Sequence, residues 1–202
     1  MECLGAGFRP GVVTGGGNFV RGAQLDRATR WRADYMGMLA TVVNCLYLQD
    51  AIERLGGAAA VLSAFPAGPA VLDYSPARAL ELLESGQVVL YAAGTGNPFL
   101  TTDTAAALRA AQTGCSILLK GTKVDGVYDS DPGTHPGARR FDGLTYDRML
   151  ELGLGVMDAA AVAVCRDSSM PLVVFDATDP ANILRVLRNP SLGTVIREES
   201  SP

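Results

Sequence analysis

Three loops hold most of the residue types that do chemistry. The first, Gly94-Thr95-Gly96-Asn97-Pro98-Phe99-Leu100-Thr101-Thr102-Asp103, lies between the apolar run VVLYAA and the Ala/Leu-rich run AAALRAA. A buried strand that enters a helix through such a loop makes an anion site. The first-turn N–H groups have no partner inside the helix, and the helix dipole favours negative charge there. Gly94 and Gly96 let a ligand approach the backbone closely, and Pro98 gives up a donor that a loop does not need. On its pattern alone, 88–111 also reads as a plain strand–turn–helix unit with a threonine cap. The second loop, Gly15-Gly16-Gly17-Asn18, follows the strand-like GVV, and successive unobstructed N–H groups wrap an anion. Arg21 follows it with a guanidinium suited to a forked pairing with phosphate oxygens. The third loop is GTKVDGVYDSDP. Asp125-Gly126 marks a tight turn flanked by Val124 and Val127, and on its pattern alone the loop also reads as a solvated hairpin with one packed tyrosine. Tyr128 beyond the turn offers a ring to a nucleobase, and Asp131 is held extended by Pro132.

Composition narrows the ligand. A net charge of −4 argues against general nucleic-acid binding, which needs a basic face, so any phosphate held belongs to a small molecule. The four cysteines (Cys3, Cys45, Cys115 and Cys165) are far apart, which excludes CxxC redox chemistry and a zinc knuckle. Cys115 and Cys165 read as small buried residues. The single histidine, His135, sits in a polar loop and does not suit a Ser-His-Asp triad. No metal-ligand set is read. There is no signal peptide and no apolar run long enough to cross a bilayer, so the expected location is the cytoplasm, with no membrane partner.

The elements that must position these loops alternate along the chain. GVV is a strand, and 34–54 reads as a long helix with Met38, Val42, Cys45, Leu46 and Ile52 on its apolar side. Asp34 stands at the helix start as a natural cap, while Gly37 predicts close packing against something. Gly56-Gly57 end the helix. A buried strand follows at 58–63, then a helix at 77–85 entered through Ser75-Pro76, then the apolar run that opens 88–111. Beyond the first loop's helix come a buried strand at 115–120, a helix capped by Thr145 and an Ala-rich helix opened by Asp158. A strand at 171–176, a helix at 180–187 and a last strand at 193–196 complete the chain. This alternation predicts right-handed crossovers and a mainly parallel sheet in an α/β fold. Its length suits one domain, 1–202.

Taken in order, VTGGGNFVRG, DYMGMLATVVN, AGTGNPFLTTDTAA, LKGTKVDGVYDSDP, LTYDRML and VMDAAA resemble the bacterial-type uridylate kinases of the amino acid kinase superfamily. The resemblance runs from about residue 10 to 197. It implies a three-layer αβα sandwich around a mainly parallel central sheet, without a Walker A loop. The implied reaction moves the γ-phosphoryl of ATP, bound with Mg2+, to UMP in pyrimidine nucleotide biosynthesis. The implied assembly is a homohexamer, with GTP and UTP as effectors.

Carried over by position, Gly16, Arg21 and Asp34 look like UMP contacts. Thr95, Gly96, Asn97, Pro98, Phe99, Leu100, Thr101 and Thr102 look like the loop that closes around UMP. Gly17, Arg21, Thr122, Tyr128 and Asp131 look like the ATP side, with Lys120 and Lys123 as further phosphate partners. Asp103, Asp158 and Arg21 look like the catalytic charges. The family's Lys-x-Ser-Gly strand does not occur in this sequence, so the expectation is a chain without that first strand and part or all of the first helix. That departure keeps an alternative open, a catalytically impaired nucleotide-binding paralogue or a fragment of such a kinase. A superfamily kinase for carboxylates or carbamates is a third reading, and TGNPF together with Arg21 and Asp34 speaks against it.

Overall fold

Strand pairing sorts the chain into two four-stranded sheets, one in each of two compact units, Met1–Thr113 and Gly114–Pro202. The structure is a computed structural model, and it describes residues 1–19 and 29–198. Among the described residues no helix is long and apolar enough to cross a membrane.

The first unit opens with the short helix α1 (Glu2–Gly5) and strand β1 (Gly11–Val13). Helix α2 (Arg30–Arg54) follows, then β2 (Ala59–Ser63), β3 (Leu72–Asp73), α3 (Pro76–Glu84), β4 (Val88–Ala92) and α4 (Thr102–Gln112). The sheet order is β1-β4-β2-β3 and every pairing is parallel. β2 and β4 are buried along their whole length, which is why both read as continuous apolar runs. Alternation still divides their faces. Ala59, Val61, Val88, Leu90 and Ala92 pack with Met38, Val42 and Cys45 of α2. Ala60, Leu62, Val89 and Tyr91 pack with Ala79, Leu82 and Leu83 of α3. Helix, sheet and helix make the three expected layers.

The second unit holds β5 (Leu118–Thr122), β6 (Gly143–Leu144), α5 (Tyr146–Glu151), α6 (Ala159–Asp167), β7 (Leu172–Asp176), α7 (Ala181–Arg188) and β8 (Thr194–Ile196). Its order is β5-β7-β8-β6, and only β7 with β8 runs antiparallel, so the α/β fold is mainly parallel as expected. Val173 and Phe175 of β7 pack with Val186 of α7. On α5, the buried Tyr146 hydroxyl donates to Met170 O at 2.7 Å. Burial pushes that phenol's pKa far above its ordinary value.

Several boundaries differ from the sequence reading. α2 begins at Arg30, with Thr29 as its extended N-cap residue, so Asp34 is no cap. Arg30 and Asp34 instead form an i,i+4 ion pair within the helix, at 2.9 Å. The strand expected at 115–120 lies at β5, because the ladder with β7 runs on from Leu118↔Leu172 to Thr122↔Asp176. Gly121 makes that extension possible: a methyl group there would come 2.7 Å from Ala177 Cβ. Cys115, expected to be buried, is partly exposed, while Cys165 is buried. Val124 and Val127 do not pair as a hairpin. Val127 N–H donates to Thr194 Oγ1 at 2.9 Å, and the antiparallel bridge forms between Tyr128 and Arg140.

Candidate functional site

Within the first unit, β1 and β4 are parallel neighbours, so the loops that leave their carboxyl ends start side by side, where open α/β sheets bind ligands. The β4–α4 loop starts with two left-handed residues, Ala93 at φ 61° and Gly94 at φ 57°. A buried alanine in that region is strained and needs holding. Thr41, buried on α2, supplies the hold: its hydroxyl accepts from Ala93 N–H at 2.7 Å and donates to Met38 O at 2.7 Å. Gly96 N–H closes a turn on Ala93 O at 2.9 Å. Thr95 Oγ1 accepts from Asn97 N–H at 3.1 Å, which folds the middle of the loop on itself.

Further along, Phe99 has φ 68° and is 66% exposed. Its N–H donates to Asp34 Oδ2 at 2.8 Å. Arg30 donates to both oxygens of that carboxylate at 2.9 Å and lies 5.6 Å from the Phe99 ring centroid. The loop ends at Thr101, the N-cap of α4, whose hydroxyl accepts from Asp103 N–H at 3.1 Å and Thr104 N–H at 3.3 Å. Thr102 is exposed in the first turn and Asp103 is half-buried beside it.

The glycine-rich loop after β1 is held by the same helix. Asn44 of α2 donates to Gly15 O at 2.7 Å and exchanges side-chain hydrogen bonds with Asn18 at 2.8 and 2.9 Å. Gly16 lies so close to α2 that a methyl group there would collide with Gly37 O and come 3.0 Å from Ala40 Cβ. The close packing expected at Gly37 is real, but Gly16 is the residue that cannot carry a side chain: among the described residues, nothing lies within 4 Å of a methyl group placed on Gly37. A methyl group on Gly15 would sit 3.7 Å from Thr102 Oγ1, so the glycine loop meets the N-terminus of α4. Gly17 forms part of the turn that follows. Arg21 lies outside the described residues.

In the second unit, β5 and β7 are parallel neighbours that end together at Thr122 and Asp176. Lys120 lies within β5, and Lys123 is exposed just past its end. Thr122 Oγ1 donates to Val124 O at 2.6 Å and shapes the following bend. Tyr128, half-buried, donates its hydroxyl to Asp125 Oδ1 at 2.6 Å, and that hydrogen bond raises the phenol pKa. Asp131 folds an Asx turn: Oδ1 accepts from Gly133 N–H at 2.9 Å. Asp158 is the N-cap of α6, with Oδ1 accepting from Ala160 and Ala161 N–H at 3.0 and 3.1 Å. Among the described residues, no three His, Cys, Asp or Glu side chains gather as a metal cage.

Three positioning residues escaped the sequence reading: Thr41, Asn44 and Arg109. For the first two a signal existed. Asp34, Gly37, Thr41 and Asn44 recur at three- and four-residue steps, a small and polar stripe on an otherwise apolar helix. That stripe touches both loops. Arg109 carried no signal, since an arginine in an Ala-rich helix reads as a solvated side chain.

The amino acid kinase family profile matches residues 2–176. A uridylate kinase of Xanthomonas axonopodis pv. citri is 49% identical over 205 residues, covering 99% of this chain and 84% of the relative. One from Legionella pneumophila is 49% identical over 197 residues, covering 96% of this chain and 80% of its own. Among solved structures, a UMP kinase from Ureaplasma parvum superposes with TM-score 0.92 at 38% identity, over 98% of this chain and 85% of that one. A UMP kinase from Bacillus anthracis superposes with TM-score 0.95 at 30% identity, over 100% and 84%.

Proposed function

We infer, from a chain that belongs to the amino acid kinase family and aligns with its uridylate kinases over nearly its whole length, that this protein transfers the γ-phosphoryl group of ATP to UMP. An oxygen of the UMP phosphate attacks the γ-phosphorus in line, the bond from that phosphorus to the ADP oxygen breaks, and UDP and ADP leave. Such a transfer needs little covalent help from protein; positioning and charge neutralisation do most of the work.

The observation that carries this reading is the α2 stripe, which holds a glycine loop and the TGNPF loop over one helix N-terminus. That arrangement suits a phosphorylated acceptor. In our reading Gly16, Asp34 and residues 95–102 bind UMP, joined by Arg21. Gly17, Thr122, Tyr128 and Asp131 serve ATP, with Lys120 and Lys123 on its phosphates. Asp103 and Asp158 orient cationic groups at the reaction centre. Mg2+ would come with ATP; Asp103 or Asp158 would help hold it, and it would neutralise charge on the phosphates.

The protein is proposed to work in the cytoplasm, in pyrimidine nucleotide biosynthesis. It is proposed to assemble as a homohexamer answering GTP and UTP. Support for assembly comes from α2, whose outer side exposes Trp31, Met36, Leu39, Val43 and Tyr47. The test is a phosphoryl-transfer assay with ATP and a panel of UMP, CMP, AMP, glutamate and carbamate. UDP formation confined to UMP supports the reading. Phosphorylation of a carboxylate or carbamate instead of UMP overturns it, and UMP binding without UDP formation marks a nucleotide binder that has lost the transfer.

A further inference from the structure

One buried cation has no part in the reaction described so far. Arg109 of α4 is 5% exposed, and among the described residues no carboxylate pairs with it. A buried charge without a counter-charge costs stability, so its neighbours must compensate. Its guanidinium carbon lies 3.7 Å from the Tyr74 ring centroid, Nη1 donates to Gln112 Oε1 at 2.9 Å, and Nη2 donates to Gly94 O at 3.1 Å. Tyr74 in turn donates its hydroxyl to the same Gln112 Oε1 at 2.6 Å.

The bond from Arg109 to Gly94 O has a consequence in the loop. Gly94 and Thr95 are the central residues of the turn closed by Gly96 N–H on Ala93 O. The peptide between the central residues of such a turn takes no part in closing it, so it is free to flip unless something holds it. In a trans peptide the carbonyl and N–H point in opposite directions. With Gly94 O drawn to Arg109, the Thr95 N–H faces away from Arg109, and among the described residues it donates to nothing.

We propose that Arg109 is a positioning residue: it locks the Gly94–Thr95 peptide in one flip state, so that the N–H of the half-exposed Thr95 is presented as a donor to an oxygen of the acceptor nucleotide. A cation on the carbonyl also polarises the peptide and strengthens that donor. The proposal rests on the reading of this loop as the UMP site. It explains why a charge stays buried under a loop whose first residues are strained.

The test is calorimetric titration of UMP into the full chain, as wild type, Arg109→Gln and Leu83→Ala. The last is a core variant in α3 that lowers stability away from the loop. The Thr95 15N resonance, which responds to hydrogen bonding at the preceding carbonyl, is followed alongside. Arg109→Gln is expected to bind UMP at least about tenfold more weakly and to shift the Thr95 resonance. Leu83→Ala is expected to lose comparable thermal stability while keeping its UMP affinity within about twofold. Equal UMP affinity in Arg109→Gln and wild type, or an unmoved Thr95 resonance, overturns the proposal.

Should Arg109→Gln not fold, Arg109→Lys carries the test. A lysine keeps the buried charge but cannot reach Gly94 O and Gln112 while lying flat on Tyr74, so it too must bind UMP more weakly; unchanged affinity overturns the proposal. A wild type that ignores UMP overturns the acceptor-site reading, and the Thr95 shift then still decides whether Arg109 holds the peptide.

Discussion

Thr41 shows how much a single hydroxyl does here. It accepts from the N–H of Ala93, a left-handed and fully buried residue, and satisfies itself on its own helix at Met38 O. Thr41→Val keeps the volume and removes the acceptor. Leaving the Ala93 N–H buried and unpaired costs about 1–3 kcal/mol, which chemical denaturation will register as a loss of folding stability. Asp34 is equally committed, to Phe99 N–H and Arg30. Its assignment to the UMP site rests on the resemblance carried by DYMGMLATVVN, and its place inside the helix was not legible there. Aspartate is a stronger N-cap type than Thr29, the residue before RWRA that the helix starts from. The helix passes through it because Arg30 and Asp34 pair one turn apart and Asp34 is needed by the loop.

Helix α2 is the element on which the first unit depends. Its three sides do three jobs: Met38, Val42 and Cys45 enter the core, Asp34, Thr41 and Asn44 hold the loops, and Leu39, Val43 and Tyr47 face outward. Its two glycine contacts are unequal. Gly16→Ala forces a methyl group into the Gly37 carbonyl and is expected to cost about 1–3 kcal/mol, with weaker UMP binding as the loop shifts. Gly37→Ala meets open space inside the helix and is expected to add about 0.5–1 kcal/mol, both changes being read from thermal melts.

On α5, burial raises the Tyr146 phenol pKa above its ordinary value near 10. A group whose folded pKa is raised contributes stability that is complete below the unfolded pKa. That stability is lost as pH rises through the folded value. Denaturation midpoints should therefore fall above about pH 10 in the wild type, a slope that Tyr146→Phe makes shallower. The caps at Ser75, Thr145 and Asp158 were legible because capping is local chemistry. The extent of β5 was not, since it is set by a partner strand more than fifty residues away.

At the scale of the whole molecule, the proposed reading has the two sheets divide the labour, with the loops assigned to UMP in the first unit and the loops assigned to ATP in the second. The α/β class and the order of the longer elements were readable from alternating apolar runs, but the four-residue α1 and the two-residue β3 and β6 were not read. The grouping into two four-stranded sheets was not, because pairing partners leave no mark in a single sequence. The outward side of α2 bears on assembly: Leu39 is 51% exposed and Tyr47 78% exposed on one stripe. If that stripe joins copies of the chain, Leu39→Glu will lower the mass seen by light scattering while leaving the fold intact by circular dichroism.

The division of labour is most directly tested by amide hydrogen exchange of the full chain, with UMP alone and with a non-hydrolysable ATP analogue and Mg2+ alone. UMP is predicted to slow exchange in peptides covering 14–19 and 94–103, and the ATP analogue in peptides covering 120–131. Protection by UMP confined to the second unit, or absent from both first-unit loops, would contradict the account.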